Sequence, residues 1–297
     1  MWLSLFNIFL VVKIAYRFMS NFRTSSVFKF TKEYELLEKM IENGIIPNYC
    51  GEDLSFDSQR FYVGVPMSSF CDIPLTRLKV HTGRYGEFAL ALSKEWAIQK
   101  GLTPIMYIAN DVVLESVYFH YQENQKVVDR YNRPDVKKDL LRRAALSSFP
   151  LGDYARMLNT QTEHAINTHI IGYLKKYEGV YIDGPIINYE ENEWRYLVPD
   201  ENETKWFWSE DDYLKWRFPN GDKTVKKPSP SNALKNYTLT FSCKDVRHVL
   251  VSDDEFKSRL LDFIKGLTTI GGESALEDQR NVLRSKIITL KEIEEDF

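Results

Sequence analysis

One block of sequence constrains this fold more than any other. From Asp111 to about Ser148, and again from Tyr154 to Lys176, the pattern is helical, broken near Pro134. In the second run Leu158, Ala165, Ile166, Ile170, Tyr173 and Leu174 form an apolar stripe. Strand-like segments rich in β-branched and aromatic residues flank the block on both sides. Residues 26–30, 60–70, 87–93 and 103–109 precede it, and residues 192–198, 237–242, 246–252 and 285–290 follow it. A helical block lodged between two halves of a sheet implies an α+β fold: a single mixed-sheet domain over 19–297, with a helical insertion at about 111–176.

Shorter signals fill in the rest. Thr31 can cap a helix in which Tyr34, Leu37, Met40 and Ile41 recur at helical spacing and which Gly44 ends. Ser93 caps a second short helix, stopped by Gly101. A third helix spans 253–267. The stretch 60–70 reads as a strand or a strand pair with a break at Gly64–Pro66. Residues 200–236 are charged, aromatic and punctuated by Pro and Gly, a long exposed excursion. Its aromatic run 203–221 has two readings: anchors for a partner protein, or a flap packed on its own core.

The first 18 residues are hydrophobic, but the uninterrupted apolar content falls short of the ~20 residues a spanning helix needs. The basic residues Lys13 and Arg17 follow the apolar run, the reverse of a secretory signal. The preferred reading is an upstream mis-start, with the protein beginning near Met19; the alternative is a membrane-associating N-terminal helix. No stable membrane insertion is expected. A net charge of −3 offers no general attraction to nucleic acid, and no helix-turn-helix, zinc finger or basic stripe appears. Three scattered cysteines fit neither a disulfide framework nor a zinc site, and suit reduced thiols in a cytoplasmic protein. His164 and His169 are five apart, the wrong spacing for one helix face, so no metal is expected.

Two stretches could carry chemistry. If 189–198 is a strand, Tyr189, Glu191, Glu193 and Arg195 share one face, and Trp194, Tyr196 and Val198 share the core face. The polar face is then either a catalytic or ribose-binding carboxylate site or a solvated surface with an internal ion pair. The second stretch is 68–96. Asp72 there reads as the cap of a helix begun at Pro74 and carrying Leu75, Leu78 and His81, and Cys71 as a buried thiol at a strand end. His81 and Tyr85 stand at i,i+4 spacing, as a nucleotide contact or as surface packing. The chain holds no Gly-rich phosphate loop and no nucleophile elbow.

Several of these blocks resemble one family. The segments "VFKFTKEYELLEKMIENGIIPNYC", "VPMSSFCDIPLTRLKVHTGRYGEFALALSKEWAIQKGLTPIMYI", "YLKKYEG", "EENEWRYLVP" and "SKIITLKEIEEDF" look like those of the AbiGi abortive-infection proteins of bacterial phage defence. The resemblance implies a cytosolic antitoxin that acts with a nucleotidyltransferase-like toxin encoded nearby. The layout also resembles ADP-ribosyltransferase-like folds. That likeness implies NAD as cofactor, a first-strand nucleotide contact at Lys29 and Thr31, a middle-strand aromatic at Tyr85, and a late-strand glutamate at Glu191 or Glu193. Asp72, His81 and Arg195 would border such a cleft. A glutamate holding the ribose 2′-OH would stabilise the oxocarbenium-like transition state of NAD cleavage. Such folds place a histidine where this chain has Lys29.

Overall fold

The computed structural model describes residues 24–145, 151–181, 184–199 and 208–296. The hydrophobic segment 1–18 lies outside them. In chain order β1 (Ser26–Thr31), α1 (Tyr34–Asn43), β2 (Asn48–Asp53), β3 (Tyr62–Cys71), α2 (Leu78–Tyr85), β4 (Phe88–Ser93), α3 (Lys94–Gln99), β5 (Thr103–Pro104) and β6 (Met106–Ile108) come first. The helical insertion follows as α4 (Asp111–Asn132), α5 (Pro134–Ala145) and α6 (Leu151–Ile171), and the chain returns through β7 (Leu174–Lys176), β8 (Glu178–Tyr181) and β9 (Gly184–Ile187). Then come β10 (Glu193–Leu197), β11 (Trp208–Ser209), α7 (Glu210–Arg217), α8 (Asn232–Lys235), β12 (Val246–Val251) and α9 (Asp254–Lys265). Last are β13 (Thr269–Ile270), β14 (Glu273–Ser274), α10 (Glu277–Arg284), β15 (Ile287–Thr289) and α11 (Leu290–Asp296).

Nine of the described strands form one mixed sheet in the order β15-β12-β4-β1-β3-β10-β5, with β2 and β11 flanking the outer half of β3. Its pairs are antiparallel except β12–β15. The fold is α+β. The alternation of β4 shows how the sheet is covered. Leu90 and Leu92 pack with Tyr34, Leu37 and Ile41 of α1 and with Leu260 and Ile264 of α9. Ala89 and Ala91 point the other way, onto Phe28, Leu78 of α2 and Ile293 of α11. Both faces of the strand are therefore buried, which is why all six of its residues are inaccessible.

Asn110 starts the insertion by accepting a hydrogen bond from Val112 N at 2.9 Å, and Pro134 restarts it at the first position of α5, where a missing N–H costs nothing. The insertion bridges the parallel pair β6–β7. Leu114 of α4 and Ile171 of α6 seal it against Val63, Val65, Met67 and Leu197. The helices end at Ile171; Leu174–Lys176, counted with them from sequence, is a strand.

Several local expectations change. Residues 60–70 do not break at Pro66, which lies inside β3. Its carbonyl accepts from Val198 N at 3.0 Å, so its absent N–H falls on the side where β10 has already ended. Residues 237–242 form no ladder; Leu239 exchanges two backbone bonds with Ile45, and Phe241 N reaches Gly271 O. Residues 103–109 split into β5 and β6 around Ile105. Asp72 caps nothing. A 3₁₀ turn (Leu75–Arg77) precedes α2, and the Asp72 carboxylate instead binds Lys94 at 2.6 Å and the Thr24 hydroxyl. Thr31 accepts from Glu33 N at 3.1 Å, one residue ahead of α1, so it shapes the approach without capping the helix. Ser93 does cap α3, through Trp96 N at 3.1 Å. Of the aromatic excursion, the described part from Trp208 onward packs on its own core: Trp208 stacks on Tyr49 at 4.0 Å, and Trp216 and Tyr213 close over them.

Candidate functional site

The polar candidates converge where β10 passes between β3 and β5. Residues 189–198 are not one strand. Asn188–Glu191 is a 3₁₀ turn, and Asn192, at φ +43°, swings the chain into β10. Glu191 is thereby folded back beside Glu193 rather than two places along the same face. The expected solvated face is also corrected. Glu193 and Arg195 are buried toward the helical insertion, at 4% and 0% exposure, while Trp194 and Tyr196 on the other face are half-buried against the main core.

A buried guanidinium must find acceptors for its donors. Arg195 Nε donates to Glu193 Oε1 at 2.7 Å and Nη2 to Glu193 Oε2 at 3.2 Å. Nη2 also pairs with Glu52 Oε1 of β2 at 2.8 Å, and Nη1 donates to the carbonyls of Gly172 (2.8 Å) and Leu174 (3.2 Å). Lys175 of β7 then bridges the two late carboxylates, at 2.9 Å from Glu193 Oε2 and 2.8 Å from Glu191 Oε2. Beyond them Arg84 Nη1 lies 3.4 Å from Glu191 Oε1, to which the Tyr85 hydroxyl donates. The result is a ladder of three carboxylates and three cations: Glu52, Arg195, Glu193, Lys175, Glu191, Arg84. The Tyr107 hydroxyl accepts from Glu193 N at 2.7 Å and fixes the start of β10.

Burial alone would raise the Glu193 carboxyl, but Arg195 and Lys175 outweigh it and hold its pKa well below the usual carboxylate range. Burial would likewise lower Arg195, and Glu193 and Glu52 reverse that. Glu52 differs: burial raises its pKa despite Arg195 and Lys175. Burial, with Glu191 adding to it, pushes up both the Tyr85 hydroxyl and the Cys71 thiol. Cys71 is thus the unreactive buried thiol expected of it.

Two clefts open beside the ladder, with Pro185 lining both. The larger, of about 810 Å³, is lined by Glu52 and Lys175 together with Tyr62, Asp111, Lys176 and Asn188. The smaller, of about 230 Å³, is lined by His81, Arg84, Glu190 and Glu191. Glu191, Glu193, Arg195 and Tyr85 are therefore brought together, and His81 stands beside them, its ring 6.3 Å from Tyr85 and its pKa lowered by burial. Lys29, Thr31 and Asp72 are not in this group. Lys29 is half-buried, donates to Ser69 O at 3.1 Å and sits over the Phe70 ring, and burial of its ammonium lowers its pKa. Glu52, Lys175 and Arg84 escaped sequence reasoning. They come from three separate elements, and only the crossover through the insertion brings Lys175 back beside β10. A lysine within the apolar strand "YLKKYEG" was the one available signal.

Comparison with known proteins places this arrangement. The family described as "Putative abortive phage resistance protein AbiGi, antitoxin" matches residues 43–252, which hold the whole ladder and both clefts. The abortive phage resistance protein AbiGi of Lactococcus lactis subsp. cremoris is 25% identical over 258 residues, covering 78% of this chain and 89% of that protein. No solved structure matches significantly. Among the described residues, no helix is long and apolar enough to cross a membrane. With its family match spanning most of the sheet, the insertion and the buried ladder, the chain belongs to the AbiGi family of abortive phage resistance proteins.

Proposed function

We propose that this chain is the antitoxin half of a two-gene abortive-infection pair, acting in the cytoplasm by binding a nucleotidyltransferase-like toxin encoded nearby. The observation that carries the reading is the family match over 43–252, whose description names an antitoxin. The site geometry supports binding over turnover. Glu52, Glu191 and Glu193 are each engaged by at least one cation within 2.9 Å. A ribose-holding carboxylate here would have to exchange one of these cations for its substrate, at the cost of breaking a buried pair. The three free cysteines suit a reducing compartment. A tagged copy of the chain, expressed with the neighbouring gene, is expected to retain that gene product through purification. A neighbour that passes wholly into the flow-through overturns the reading.

A second reading draws on one observation, the Tyr85 hydroxyl meeting Glu191 beside the smaller cleft. In an ADP-ribosyltransferase-like enzyme that cleaves NAD, Glu193 would hold the ribose. It would first have to leave Arg195 and Lys175, at a cost of several kcal/mol for a buried ion. Purified protein that consumes NAD, with the loss of that activity in Glu193→Gln, would favour this second reading over the first.

A further inference from the structure

Away from the ladder, an oxidisable sulfur and a nucleophilic nitrogen meet. Cys71 and Cys243 are buried, whereas Cys50 on β2 is half-buried and the most accessible of the three thiols. Lys227 Nζ lies 3.3 Å from Cys50 Sγ, although 177 residues separate them along the chain. The segment carrying Lys227 is held in place on both sides of it. Asn48 Nδ2, from the same face of β2 as Cys50, donates to Pro228 O at 2.9 Å, and Arg217 Nη1 donates to Val225 O at 3.0 Å. Lys227 is exposed, and its ammonium forms no ion pair among the described residues, so no carboxylate draws it off the sulfur. The thiol's other contact is a weak bond to Asn48 O at 3.7 Å. The neighbouring amine, Lys29, is engaged by Ser69 O and the Phe70 ring. Neither Cys50 nor Lys227 lines either cleft.

We propose that Cys50 and Lys227 are a modification site: hydrogen peroxide joins them through a reversible sulfenamide bond. In the first step an S–O bond forms and the peroxide O–O bond breaks. Sulfur is oxidised by two electrons to a sulfenic acid, and the second peroxide oxygen leaves as water. The Lys227 ammonium then yields one proton to solvent, and the free amine attacks the sulfur. The S–N bond forms, the S–O bond breaks, and the hydroxyl leaves with an amine proton as a second water. Contact between the two groups makes this capture intramolecular, which lets it outrun further oxidation of the sulfur. A thiol reductant reverses the bond by attacking the sulfur and releasing the amine. The link staples the far end of the 208–235 excursion to β2. Its near end is already held by β11 on β3 and by Trp208 on Tyr49. The inference stands independently of the antitoxin reading.

The test treats the reduced full chain with hydrogen peroxide at pH 8.5 and reads the intact mass and a proteolytic digest. The chain is expected to lose about 2 Da, the two hydrogens given up when S–N replaces S–H and N–H. The digest is expected to yield a linked pair of peptides holding Cys50 and Lys227, and dithiothreitol to restore the starting mass. Lys227→Arg keeps the charge and removes the amine nucleophile, so Cys50 should instead accumulate oxygen adducts with no linked peptide. Cys50→Ser should abolish both the link and the mass loss. Circular dichroism of both variants is expected to match wild type, and the wild-type digest decides the question by itself. Oxygen adducts building up on wild-type Cys50 without a linked peptide, a Cys50 that peroxide leaves untouched, or a disulfide in place of the link overturns the proposal. A link to Lys29 overturns the assignment of the amine, and a link that retains an oxygen overturns the condensation step.

Discussion

Replacing Arg195 with Met is the sharpest probe of the ladder. Arg195 is fully buried, and its guanidinium serves Glu193 twice, Glu52 once, and the carbonyls of Gly172 and Leu174. Methionine fills much of the stem volume, so the change removes charge and hydrogen bonds more than packing. It leaves Glu52 buried without its cation, Glu193 held by Lys175 alone, and two carbonyls short of a donor. Removing one partner of a buried pair costs about 3–5 kcal/mol. For a chain of this size that lowers Tm by roughly 6–20 °C, at about 2–4 °C per kcal/mol. Urea unfolding followed by circular dichroism reads the change directly. A control separates charge from packing: adding Glu193→Leu and Glu52→Leu to Arg195→Met removes the stranded carboxylates. Apolar replacement of a whole buried pair is often neutral, so the triple variant should recover at least about half the loss. An Arg195→Met change below about 1 kcal/mol, or a triple variant worse than the single, refutes the reasoning.

Three further outcomes follow from named contacts. The pKa of Glu193 lies below its ordinary value of 4.5, so the stability it contributes is fully present above that pH and drains away as pH falls toward the folded value. The gap between wild type and Glu193→Gln, measured by urea unfolding, should therefore narrow from pH 7 to pH 3; a constant gap contradicts the assignment. Gly86 has φ +108°, and a Cβ there would lie 2.1 Å from Thr31 O, so Gly86→Ala should lower Tm by several degrees where the same change at Gly83, which meets nothing within 4 Å, should not. Trp208→Ala, by removing the stack on Tyr49, should open the 208–235 excursion to limited proteolysis before the rest of the chain, an effect invisible if that excursion were not packed on the core.

How much of this was legible in the sequence depends on where the information resides. The insertion declared itself because helical periodicity and the break at Pro134 are local; the Asn110 cap that starts it went unread. The first strand, β4, α3 with its Ser93 cap, and α9 were readable for the same reason. Pro66 misled, because whether proline breaks a strand depends on what lies opposite its missing N–H, and that partner, Val198, is far along the chain. Residues 237–242 alternate like a strand because Leu239 and Phe241 are buried, yet burial comes from Ile45 and Gly271 without a ladder. The site was half visible. Glu191, Glu193, Arg195 and Tyr85 could be named from two motifs, but their burial could not, since alternation says which residues share a face and not whether a helical insertion covers it. Glu52 and Lys175 were hidden because they enter through tertiary crossing alone.

The account turns on whether the chain restrains a toxic partner, and growth of cells carrying the neighbouring gene tests this most directly. Cells induced for the neighbour alone should stop growing, and cells induced for both genes should grow normally. A neighbour that is harmless by itself, or an arrest that co-expression of this chain leaves untouched, contradicts the account.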